Sequence, residues 1–292
     1  MDYSIADFLL RTEGPHADIA ACGLRGFKPF EVETNPSAEP TMLLRMGSAI
    51  DDAMYPITKS IHTFDFEQNY ASGELARYAT GYRFSMTRED KTFLLIKEDG
   101  SNIVESNLGI YEEADPSLVR FGIWIMFGII IAPLGAIAIH SSIIVKDDGG
   151  VLCLGESGTG KSTHTRLWRE HIEGARLLND DSPIIRMIEG KCIIYGSPWS
   201  GKTHCYVNKC VPVRALMRLS QAPHNKIYQL PALSAIGAIL PSCPPAFAYD
   251  NALQDHSCNT VSEIISCTPV YHLECLPDAA AAELSYSTIF GK

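Results

Sequence analysis

The stretch VLCLGESGTGKSTHTRLWREHIE, residues 151–173, decides how the rest of the chain is read. VLCL is a short apolar run of strand character, and three glycines follow within six residues, at Gly155, Gly158 and Gly160. From Ser162 the text turns helical, with Leu167, Trp168, His171 and Ile172 predicted on one side. A strand, a glycine-rich turn and a helix in this order bring backbone N–H groups and a helix N-terminus towards one point. Such a point attracts an anion, and G-x-x-x-x-G-K-[ST] is the pattern that holds phosphate. Gly155, Glu156, Ser157, Gly158, Thr159, Gly160, Lys161, Ser162 and Thr163 are therefore the candidate nucleotide residues. Lys161 would reach the β- and γ-phosphates, and the Ser162 hydroxyl would ligate Mg²⁺.

Such a site needs a carboxylate at the end of a neighbouring strand. ARLLNDD, residues 175–181, supplies Asp180 and Asp181 behind the apolar Leu177 and Leu178. Neighbouring strand residues face opposite ways, so one acid can face the metal and the other an incoming hydroxyl as general base. His140 enters by register. IHSSIIV and VLCLGE flank the turn KDDGG, and pairing Val145 with Val151 sets position 140 opposite position 156. That places an imidazole at the phosphate end, as a catalytic contact or proton carrier.

A second string, GSPWSGKT at 196–203, fits the same phosphate pattern. It lacks the context: no helical period follows, and Pro198 and Trp199 fill positions where a cradle needs free N–H groups and little bulk. A hairpin turning at Gly190, with Ile188 opposite Cys192, would instead bring Ser197 to Ser200 back beside Pro183 to Asp180. Trp199 and Lys202 then become candidate substrate contacts.

The remaining text is ordinary for a globular protein. The 292 residues are 46% hydrophobic and 20% charged, enough for a large core with a smaller companion. A net charge of −10 argues against a nucleic-acid surface. Nine cysteines without a C-x-x-C pair, and no secretory signal at the start, read as reduced thiols of a cytoplasmic protein. FGIWIMFGIIIAPLGAIAI, residues 121–139, is uncharged, but Pro133 and Gly135 divide it into a buried helix and a buried strand, so no membrane span is expected. Residues 1–115 form a strand-rich accessory region: IHTFDFE, GYRFSMT, KTFLLIKE and NIVESNL alternate, NPSAEP is a loop, and GELARYATG is predicted helical. Residues 116–292 form the α/β catalytic domain, with PVRALMRLS and TPVYHLECLPDAAAAELSYSTI as its later strand and strand–helix pieces.

His140, GESGTGKS and LLNDD, in this order, resemble the HPr kinase/phosphorylase-like P-loop kinases, which share a nucleotide core with phosphoenolpyruvate carboxykinase. The GSPWSGK loop and the PVYHLECLPDAA tail are similar to uncharacterised HPr-kinase-related proteins, and the likeness spans roughly residues 116–292. The resemblance implies an α/β P-loop kinase core, with ATP and Mg²⁺ as cofactors and a hydroxyl on a small molecule, peptide or protein as acceptor. It makes Asp180 the base, puts Asp181 with Ser162 at the metal, and sets His140 and Lys161 at the transferred phosphate. It leaves room for a homo-oligomer. The L-E-I-R-G-x-G-I segment of true HPr kinases is replaced here by IIYGSPWSGKTH, which argues against HPr as substrate, and the chain is too short for the carboxykinase reaction. A nucleotide-dependent switch or assembly protein with slow ATP hydrolysis is the competing expectation.

Overall fold

In the computed structural model, residues 1–108, 115–201 and 203–291 are described. The chain divides into two compact units, Met1–Leu134 with Ala248–Asn251, and Gly135–Phe247 with Ala252–Lys292. The division falls at 134/135, while the composition of the sequence changes near 115.

The first unit carries one nine-stranded sheet built from β1 (Asp2–Ile5), β2 (Phe8–Glu13), β3 (Glu31–Val32), β4 (Met42–Met46), β5 (Lys59–Phe66), β6 (Ala71–Tyr78), β7 (Gly81–Arg88), β8 (Lys91–Glu98) and β9 (Ile103–Ser106). Their order is β3-β1-β2-β4-β9-β8-β7-β6-β5. GELARYATG, expected to be helical, lies in β6 and its following turn. Ala, Glu, Leu and Arg favour helix in isolation, but β6 is hydrogen-bonded along its length to β5 and β7, and tertiary pairing outweighs that preference.

The apolar segment begins as helix α1 (Pro116–Ile131), started by Asp115, whose carboxylate accepts from Ser117 N, and by Pro116 in the first turn. By length and composition, Pro116–Leu134 could cross a membrane, yet 67% of its most apolar window is buried in the protein. Phe121 packs on Phe64 and Phe66 of β5, with each ring pair 5.0 Å apart, and Phe127 meets Phe8. Gly122 lies so close to the sheet that an added Cβ would sit 3.0 Å from both Leu95 and Met86.

The second unit contains β10 (Ala136–Ala138), β11 (Ser141–Lys146), β12 (Gly149–Leu154), α2 (Lys161–His171), β13 (Arg176–Asp181), β14 (Ile184–Ile188), β15 (Lys191–Tyr195), β16 (Cys210–Gln221), β17 (Lys226–Gln229), α3 (Ala232–Ile239), α4 (Asn251–Cys267), β18 (Val270–Cys275) and α5 (Ala279–Phe290). Its sheet runs β10-β14-β15-β16-β12-β11-β13, with β18 also on β16 and β17 beyond it. Both expected hairpins are present, turning through Asp147–Asp148 and Glu189–Gly190, all four at positive φ.

Alternation along the strands fills two cores. Ile143, Val145, Leu152 and Leu154 join Ile239, Val261 and Ile264 on one face. Ile144, Val151 and Cys153 join Leu167, Trp168 and Ala282 on the other. The architecture is a mixed α/β arrangement rich in sheet, with helices on both faces of the second sheet.

If α1 belongs to the core of the first unit, Gly122→Leu overpacks that contact. The expected loss is about 1–3 kcal/mol of unfolding free energy, readable as a lower urea midpoint. An unchanged midpoint would show that α1 does not pack there.

Candidate functional site

One row of three paired residues positions the site. Ser141, the first residue of β11, pairs with Leu154, the last of β12, on one side and with Asp181, the last of β13, on the other. The chain leaving β12 is the glycine-rich loop, the chain entering β11 is His140, and β13 ends in the two acids. His140 thus lies at the level of Gly155, one residue from the expected register.

The loop needs its glycines in specific places. At Gly155 a Cβ would fall 2.4 Å from Thr159 Oγ1, and Gly160 caps α2 at φ 103°. Thr159 Oγ1 donates to Glu156 O at 2.8 Å. The Lys161 ammonium curls back on the loop and donates to Gly155 O at 2.8 Å and Glu156 O at 3.1 Å. Partial burial holds its pKa below the usual lysine value, against the opposing pull of Asp181 and Asp180.

The two acids point to different partners. Asp180, 8% exposed, accepts from Ser162 Oγ at 3.0 Å and 3.2 Å through its two oxygens. Asp181 Oδ1 lies 3.0 Å from His140 Nδ1. The resemblance grouped Asp181 with Ser162, and the geometry groups Asp180 with Ser162 instead, because successive side chains of β13 leave on opposite faces.

Gly201 N donates to Asp180 O at 2.6 Å, and Ser200 bridges to Asp181. The GSPWSGK loop therefore returns to the acids, close to the expected register. Trp199 is 4% exposed and is not among the residues lining the cavity beside them, so its ring belongs to the core while its carbonyl accepts from Ser182 N. Lys202 lies outside the described residues.

A cavity of about 340 Å³ is lined by His140, Ser141, Ser157, Gly158, Gly160, Lys161, Ser162, Thr163, Asp180, Asp181 and Gly201. Most of the residues singled out in the sequence are thus brought to one concavity. It can receive an anion on the amides at the start of α2 and on Lys161. Ser162 Oγ and the Asp180 carboxylate are hard oxygen donors of the kind Mg²⁺ takes. Among the described residues no group of three or more His, Cys, Asp or Glu could hold a metal, so a cation here would draw the rest of its shell from water or ligand oxygens.

A second cavity, of about 540 Å³, shares Gly158, Gly160 and Thr163 with the first and continues past His164 and Leu167 to Gln221, Pro223, Leu276 and Pro277. Sequence reasoning missed it. The helical stripe was drawn through His171, which is exposed, whereas His164 is buried at 2% exposure beside Leu167 and Trp168. The i, i+4 spacing of His164 and Trp168 was the available signal.

No family model matches the sequence. No curated protein matches it either. Among solved structures, the HPr(Ser) kinase/phosphatase from Coxiella burnetii aligns at 13% identity and a TM-score of 0.32, over 53% of this chain and 94% of that one. A likeness this slight fixes neither fold nor activity, and the site stands on its own residues.

Burial lowers the His164 pKa from 6.5 to about 4. The folded ring stays neutral where the unfolded ring has already taken a proton, so stability is lost as pH falls from 6.5 towards 4. The contribution is on the order of 3 kcal/mol. Urea unfolding at pH 7.5 and pH 4.5 should show a smaller acid loss in His164→Gln than in the wild type; an equal loss would remove this assignment.

Proposed function

We propose that the chain is a phosphotransferase that moves the γ-phosphoryl group of ATP to a hydroxyl acceptor with Mg²⁺. The observation that carries the reading is the row Leu154–Ser141–Asp181, which sets the glycine-rich loop, His140 and both acids around one cavity. An anion-receiving loop alone would suit any nucleotide protein. A carboxylate–imidazole pair 3.0 Å apart on the same cavity favours transfer chemistry.

In this reading the residues 155–163 form a P-loop, with the amides of Gly158 and Gly160 facing the phosphates and Lys161 leaving its carbonyl partners to neutralise them. Ser162 and Asp180 would hold the metal, which when bound supplies charge neutralisation on the β- and γ-phosphate oxygens. Asp181 is the general base: it accepts the acceptor hydroxyl's proton while that oxygen forms the new bond to phosphorus and ADP leaves. His140 orients the Asp181 carboxylate and contacts the transferred group. This reverses the two acids relative to the resemblance and follows their partners. The acceptor is a small-molecule, peptide or protein hydroxyl, and the setting is cytoplasmic.

Three variants test the assignment together. Lys161→Ala should remove measurable ATP binding in calorimetry. Asp181→Asn should bind ATP and Mg²⁺ normally but lose about 10²–10⁴-fold in acceptor-dependent ADP release, the usual worth of a general base. Asp180→Asn should weaken the Mg²⁺ dependence of ATP binding. If Asp181→Asn leaves ADP release unchanged and no acceptor accelerates it in the wild type, the protein is a nucleotide switch and not a kinase.

A further inference from the structure

The row that positions the site does not end at Leu154. Leu154 also pairs with Arg218 of β16, Arg218 with His272 of β18, and His272 with Tyr228 of β17. Residues paired side by side point to the same face of a sheet. Asp181, Ser141, Leu154, Arg218, His272 and Tyr228 therefore share one face, along the edge where the glycine-rich loop leaves the sheet. Leu154 packs with Leu216 and Val270 in the core on that face, whereas α2, which carries Lys161 and Ser162, packs on the other through Leu167 and Trp168. Arg218 is thus on the side of Asp181, opposite the helix that receives the phosphates.

Most of this arginine's hydrogen-bonding capacity is unused within the protein. Its side chain is 23% exposed, and its one hydrogen bond among the described residues runs from Nη1 to Ala238 O at 3.2 Å. Its one ion pair there is with Glu156, at 3.8 Å, beyond hydrogen-bond length and to a side chain that is 83% exposed. Glu274, on the same face, is taken by His224 at 2.9 Å. A guanidinium has five N–H donors in a planar fork that matches carboxylate or phosphate oxygens, and most of this fork is open. Its place is fixed all the same. Ala238 O holds Arg218, and Ser242 O, on the same short segment, accepts from His140 N at 2.7 Å. Burial lowers the Lys161 pKa and repulsion from Arg218 adds to that, so the two cations lie close enough for an anion between them to relieve the repulsion.

We propose that the phosphoryl acceptor lies along this row, that it carries an anionic group besides its hydroxyl, a carboxylate or a phosphate, and that Arg218 binds that group. The assignment rests on the phosphotransferase reading and names the chemical class of its acceptor. Asp181 and Arg218 are three strand spacings apart, about 14 Å between Cα atoms, a span that the long arginine and the acceptor share. In the transfer, the acceptor oxygen forms its bond to phosphorus as the bond to ADP breaks, and its proton passes to Asp181. Arg218 holds the far end of the acceptor, and its contribution is to binding and choice of substrate.

Calorimetry on the protein saturated with β,γ-methylene-ATP and Mg²⁺ keeps the phosphate loop filled while malonate or methylphosphonate is titrated in. The wild type should bind at least one of them, and the tighter tells carboxylate from phosphate. Arg218→Gln should bind that anion about 10–100-fold more weakly, the usual worth of hydrogen bonds to a charged group, with its nucleotide affinity kept. Arg218→Lys should recover part of the loss. ADP release from ATP is then followed with 4-hydroxybutanoate and glycerol 3-phosphate against the neutral butane-1,4-diol and glycerol. An anionic alcohol should raise the rate above its neutral counterpart, and Arg218→Gln should lose that advantage chiefly through KM. The proposal is overturned if the wild type binds neither anion, if Arg218→Gln binds it equally well, or if that variant loses nucleotide and anion affinity alike. ADP release no faster with the anionic alcohols than with the neutral ones overturns it too. If β,γ-methylene-ATP does not bind at all, the nucleotide reading itself falls and this assignment with it.

Discussion

The site depends on the hydrogen-bonded register of β11. Ser141 faces Leu154 on one side and Asp181 on the other, so three chain segments reach the same level of the sheet. A slip of one residue in either ladder would turn every side chain to the opposite face. The turn fixes the first ladder: Asp147 and Asp148, both at positive φ, close a two-residue hairpin that pairs Lys146 with Gly149. The hairpin turn therefore sets the spacing between the glycine-rich loop and His140, and the β11–β13 ladder brings the acids to the same level.

The same alternation divides the work at the end of β13. Asp180 turns towards the start of α2 and meets Ser162, while Asp181 turns the other way and meets His140. Two adjacent carboxylates in one cavity would repel if they shared a partner. On opposite faces of a strand each has its own, a hydroxyl for one and an imidazole for the other. The backbone of the GSPWSGK loop then fixes the strand end itself, through Gly201 N on Asp180 O and Ser182 N on Trp199 O. A side chain at Gly201 would bring a Cβ within 3.0 Å of Asp180 O, so the close approach needs glycine.

Much of this second unit was legible because local signals and burial agreed there. The apolar VLCL, the glycines and the helical stripe each pointed the same way, and turn residues marked both hairpins. Where signals conflicted, reading failed. GELARY has helical residues but two strand neighbours, and the neighbours lie far from it in physical cause though near in sequence. Which acid faces Ser162 could not be read, since alternation gives opposite faces without saying which face is which. Trp199 looked like a pocket wall because large aromatics often are, but a buried ring serves a core as readily.

His164 was passed over for a different reason. A histidine on the apolar side of a helix usually ends as a satisfied core residue, and this one meets Trp168 and Ser285. The helix places His164 and Trp168 one turn apart, so that the indole N–H reaches His164 Nε2. Only elements distant in sequence, Gln221 to Pro223 and Leu276 to Pro277, close the space that His164 lines. A cavity closed by segments so distant in sequence is unreadable from α2 alone. It becomes visible only when the sheet brings β16 and the chain after β18 to the same end as the glycine-rich loop.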